Sequence, residues 1–92
     1  MSAAEMTLLE EAQSIINGAR QEAYGTPLES FTWIGKLWSA LLGIEVSPEI
    51  VALCLIQLKV SRAVNTPGHR DSWLDIAGYA GCWELIQKGR EE

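Results

Sequence analysis

"SPEIVALCLIQLKVSRAVNTPGHRDSWLDIAGYAG", residues 47–81, holds two helical patterns parted by one polar turn, and that arrangement decides the fold. Ser47 precedes Pro48, the order of a capping hydroxyl followed by proline at the first helical position. The "IVALCLIQL" that follows is apolar nearly all round, which suits a helix with neighbours on several sides. This pattern runs to about Val64, where Thr66, Pro67 and Gly68 break it. A further helix then reaches from about Arg70 to about Lys88, ahead of a charged tail. A turn this short returns the second helix antiparallel to the first.

The same devices recur upstream. In "TPLE", Thr26 can cap, Pro27 takes the first helical position and Glu29 the third. Phe31, Ile34, Leu37, Trp38, Leu41 and Leu42 continue an apolar stripe until Gly43 stops it. Before that, Leu8, Leu9, Ala12, Ile15, Ile16 and Ala19 recur at helical spacing behind a Thr7–Glu10 capping box. Asn17–Gly18 weakens this first helix late. The short "IEV" lies between a helix stop and a helix cap, so it reads as a connection and no strand is needed. The expectation is a single all-α domain over residues 1–92. It should be a compact four-helix bundle, with helices at about 8–22, 27–42, 48–64 and 70–88. Ala77, Gly78, Ala80 and Gly81 slim the last helix, allowing close approach by another helix or by a flat ligand.

Composition narrows the function classes. A net charge of −5 argues against an extended nucleic-acid groove, which needs several clustered cations. A small phosphorylated ligand needs only two or three local ones. The "MSAAEM" start lacks the basic segment and long apolar core of a signal peptide, and "EIVALCLIQLKV" is too short to span a membrane. Cys54 and Cys82 form neither a disulfide framework nor a zinc spacing, and both read as reduced, buried thiols. Four tryptophans and 48% apolar residues exceed what so small a core needs. At least a homodimer is therefore expected, through the second or fourth helix, with a homotetramer as the larger form.

The charged residues supply the candidate site. Lys59 and Arg62 stand three apart on the most apolar helix, so both must reach acids, phosphate or water. Asp71 and Asp75 share a face near the start of the next helix and are natural partners for them. The cations turned towards an anion would instead form a phosphate site. The two acids are also the candidate magnesium ligands and, with His69, the candidate catalytic groups. Two carboxylates are sparse for a metal, and adjacent cations oppose it. Asp75 has a further reading as the third residue of a capping box from Ser72, unless Asp71 is the cap. Arg20 offers a second anion contact, Tyr24 and Trp73 could wall a base or sugar, and Glu22 reads as solvated. No Walker loop, dinucleotide fingerprint, nucleophile elbow or HExxH motif is present.

"GARQEAYGTPLESFTWIGKLWSALLG", residues 18–43, together with residues 47–81, resembles a family of small phage-encoded proteins of uncharacterised function. The residues that carry this are Arg20, Tyr24, Gly25, Phe31, Trp38, Lys59 and Arg62, then His69, Asp71, Ser72, Asp75 and Tyr79. More distantly the pattern resembles MazG-like all-α nucleotide pyrophosphohydrolases. That family holds magnesium with an ExxE pair on one helix and an ExxD pair on the next. Lys59 and Arg62 stand where the first pair would be, and Ser72 and Asp75 where the second would be, so only Asp75 retains a metal-binding type. The resemblance implies a nucleotide-binding protein in the cytoplasm of an infected bacterial host. Its role there would be in nucleotide metabolism or in capture of a nucleotide-derived defence signal. The alternatives are a magnesium-dependent pyrophosphohydrolase and a non-enzymatic oligomeric interaction module.

Overall fold

In the computed structural model, which describes residues 5–92, α1 (Leu8–Asn17) opens on the expected capping box. Thr7 Oγ1 accepts from the Glu10 amide at 3.2 Å, and the Glu10 carboxylate accepts from the Thr7 amide at 3.1 Å. The reading of "MSAAEM" falls mostly on residues 1–4, outside the described residues. The helix expected over 8–22 is broken at Gly18, whose backbone sits at φ −124°, ψ −100°, and α2 (Ala19–Tyr24) continues in a new direction. Asn17 reinforces the break by turning its amide back onto the Gln13 carbonyl at 3.0 Å.

Thr26 and Glu29 form a second capping box at the start of α3 (Pro27–Leu42), which ends at Gly43 in the left-handed conformation, φ 72°. Ser47 caps α4 (Pro48–Asn65) by accepting from the Ile50 amide at 3.2 Å. The last helix, α5 (Arg70–Glu91), runs three residues past the expected end. Its cap is neither of the two weighed from sequence. His69 is the N-cap and Ser72 the third helical residue, buried, with its hydroxyl 3.0 Å from His69 Nδ1. The described residues contain no strand.

The four main helices form a compact domain of 43 × 35 × 20 Å, with α5 as its hub. It packs antiparallel along α4, crosses α1 and meets α3 near its C-terminal end, where Gly89 lies against Leu28. The short α2 touches only α1 and α3 to any extent. The core joins Ile16, Phe31, Val51, Ala52, Cys82 and Ile86. Gly78 and Gly81 face Ile16 of α1, so the slim stretch of α5 serves helix packing. Gly35 serves a closer approach, because a Cβ there would meet the Val46 carbonyl oxygen at 2.5 Å.

Two expectations about burial change. Cys82 is buried, but Cys54 lies on the outer face of α4. α4 has neighbours only in α3 and α5, so Ile50, Leu53, Leu58, Val60 and Val64 stay exposed despite their apolar pattern.

Candidate functional site

The spacing of Asp75, Gly78, Tyr79 and Cys82 places all four on one face of α5, and α1 packs against that face with the Arg20 side chain of α2 reaching in beside it. Together they line a cleft whose enclosed part measures about 50 Å³. Arg20 projects into it because the break at Gly18 redirects the chain just before it. The guanidinium carbon lies 5.2 Å from the ring centre of Phe31, 5.3 Å from that of Tyr24 and 5.7 Å from that of Tyr79. Such cation–π contacts favour the charge but supply no hydrogen-bond acceptor. Arg20 forms no ion pair among the described residues, and its Nε is buried without a partner. Burial pushes the Cys82 thiol up, and the charge and hydrogen bond of Arg20 partly oppose that.

Lys59 of α4 is tied to the cleft through Asp75 and is not itself part of the lining. Its ammonium meets the Asp75 carboxylate at 2.9 Å, with side-chain exposures of 15% and 32%. The acid that lines the cleft is therefore taken by Lys59, and Arg20, the cation that lines it, has no acid of its own among the described residues. The volume is room for a few water molecules, and the ring of Tyr24 stands exposed outside the lining.

The other candidates lie elsewhere. Arg62 and His69 border an open hollow with Ser61, Asn65 and Thr66. There Arg62 occupies the last turn of α4, where a cation complements the helix dipole and an anion is disfavoured. Trp73 is not a wall of the polar cleft. Its indole donates to the Pro67 carbonyl at 2.8 Å, and its ring borders an apolar hollow with Val60, Ala63, Val64 and Ile76. Glu22 is exposed on α2 and Asp71 is exposed in the first turn of α5.

These positions fit magnesium poorly, because Asp75 is engaged by Lys59 and a second cation stands across the cleft. Among the described residues no three potential His, Cys, Asp or Glu ligands come together. Sequence reasoning passed over Tyr79 and Cys82 as members of the site. Their spacing from Asp75, four and seven residues on one helix, is the signal that would have found them.

No helix of the described residues is long and apolar enough to cross a membrane. The chain is 48% identical over 80 residues to the gene 55 protein of Mycobacterium phage D29, an alignment covering 87% of this chain and 53% of that protein. It is 42% identical over 88 residues to the gene 55 protein of Mycobacterium phage L5, covering 95% and 56% respectively. The chain thus spans about half the length of these relatives. No solved structure matches. A family model described as a domain of unknown function, DUF6378, matches residues 7–87, and the chain belongs to that family.

Proposed function

We propose that this domain binds the phosphate of a nucleotide or nucleotide-derived small molecule, with Arg20 and Lys59 as the anion contacts and Tyr24 beside the base or sugar. One observation carries the reading. Arg20 is a half-buried cation that faces three aromatic rings and lacks an acid, and one of its N–H donors is buried without an acceptor. A buried unsatisfied donor costs about 1–3 kcal/mol, and an anion in the cleft would remove that cost. Charge-assisted hydrogen bonds to phosphate are among the stronger polar contacts available to a guanidinium.

The MazG-like resemblance supports the same ligand class but not the same chemistry, since cations replace its acidic pairs. Binding without turnover is therefore the favoured form, acting inside the infected cell. Calorimetry against pyrophosphate and a panel of nucleotides and cyclic dinucleotides tests it. Millimolar or tighter binding that Arg20→Met and Lys59→Met each weaken at least tenfold supports the site. No binding across the panel, by a protein shown to be folded, removes it. Magnesium-dependent release of pyrophosphate from nucleoside triphosphates would replace simple binding with hydrolysis.

A further inference from the structure

We infer that a second copy of this chain docks on the outer face of the α4–α5 pair, so that two antiparallel helix pairs stack face to face as a four-helix bundle. The inference is independent of the ligand reading, because the centre of this face lies about a third of a turn round α5 from the cleft and Tyr79 alone borders both.

The face is continuous. Leu53, Val60 and Val64 of α4 run beside Trp73, Ile76 and Trp83 of α5, at spacings that keep each set on one side of its helix. Two shallow hollows follow one another along the seam, of about 300 Å³ beside Trp73 and about 320 Å³ beside Trp83. Ile56 and Ala80 border the second hollow, and Val60 and Ile76, each four residues away, border the first. Trp73 is 49% exposed, Trp83 53%, Leu53 56% and Val64 76%. Folding alone leaves these side chains in water, although a single domain rarely exposes so large an apolar face without a use for it.

Three features select a copy of this chain as the occupant. The first is area. A folded monomer of 10.1 kDa should expose about 5,300 Å² by the usual scaling, whereas this chain exposes 6178 Å². The excess of about 900 Å² is spread over the whole chain, and it is of the order of the ~800 Å² that each partner buries in a standard interface. The second is charge. The chain carries −5, yet none of the six residues forming the face is charged, and Glu49, the one acid bordering the second hollow, is neutralised by Arg90, so two copies can meet there without unpaired like charges opposed. The third is shape. The antiparallel pair places one tryptophan and one hollow at each end, with the middle of the face between Ile76 and Ala80. A two-fold axis through that middle sets each tryptophan over a hollow of the other copy, as an isologous contact requires. The stripe on α3, with Trp33, Leu37 and Leu41 exposed, belongs to one helix and has Lys36 beside it.

Light scattering coupled to size exclusion, at tens of micromolar, should give twice the 10.1 kDa chain mass. Trp83→Glu should return it to the single-chain mass with its helical circular dichroism intact, while Trp33→Glu should leave the dimer unchanged. If Trp83→Glu fails to fold, Val64→Glu gives the same test at a position too exposed to matter to the core. A native monomer, a dimer that survives the glutamate on this face, or one dissociated by Trp33→Glu would each overturn the inference.

Discussion

Asp75→Asn separates two effects of the Lys59 ion pair, one on folding and one on ligand affinity, and they run in opposite directions. The pair is 2.9 Å long with exposures of 15% and 32%, so it is neither a surface bridge nor a sealed one. Exposed pairs contribute about 0–1 kcal/mol, and breaking a buried pair costs about 3–5. A loss of about 1–2 kcal/mol is expected here, which for a domain of this size lowers Tm by roughly 5–15 °C. A phosphate oxygen accepting from the same ammonium would stand ~5 Å from the carboxylate, where unit charges repel by ~3 kcal/mol at an effective dielectric of 20. Partial exposure and salt reduce this to about 1–1.5 kcal/mol, or roughly tenfold in affinity. Asp75→Asn should therefore melt earlier in calorimetry yet bind pyrophosphate about tenfold more tightly in low salt. Unchanged or weaker binding by the folded variant would mean that Lys59 serves only to tie α4 to α5.

Gly35→Ala should destabilise by about 1–3 kcal/mol, read by urea titration, because the new methyl meets a backbone carbonyl at 2.5 Å that cannot turn aside. Thr26→Ala removes the cap of α3 and should cost about 1 kcal/mol in the same titration. Arg90, then Gln87, hold the Glu49 carboxyl down at about 2, against an ordinary 4.5. The stabilisation from Glu49 is thus complete above pH 4.5 and is lost as pH falls towards 2. Glu49→Gln should flatten that part of the acid limb and, after discounting for solvent exposure, cost about 1 kcal/mol at neutral pH. A thiol reagent should modify Cys54 in the native protein within minutes and Cys82 only on unfolding.

The helix order was legible because its signals are local. Thr7, Thr26 and Ser47 each act within four residues of the helix they start, and Pro27, Gly43 and Pro48 fix backbone angles by themselves. The start of α5 was harder, since the choice among His69, Asp71 and Ser72 depends on which side chain is buried, and burial is a tertiary property. The exposed face of α4 escaped for the same reason. An all-round apolar helix predicts neighbours but does not say whether they belong to the same chain. Within the site, the Lys59–Asp75 pairing was visible as charge across a short antiparallel turn. Arg62 looked equivalent to Lys59 from its spacing. Three residues on a helix also mean a 60° offset, which here separates a half-buried position from an exposed one.

Accounting for every cation shows why Arg20 stands out. The chain has seven lysines and arginines, all within the described residues. Lys59 pairs with Asp75, Arg70 with Glu11, Lys88 with Glu84 and Arg90 with Glu49. Lys36 and Arg62 are exposed and reach water without help. That leaves Arg20, half-buried among three rings, with twelve acids in the chain and none within ion-pair distance in the described structure. Were Arg20 only a packing residue, a leucine or methionine would fill the aromatic cage without desolvating a charge. The three rings offset part of the cost of holding the guanidinium there, and under the proposed anion binding the ligand would offset the rest. Arg20→Met should therefore stabilise the unliganded domain, or leave its Tm unchanged, while weakening anion binding. A substantial fall in Tm without ligand would return Arg20 to a purely structural role.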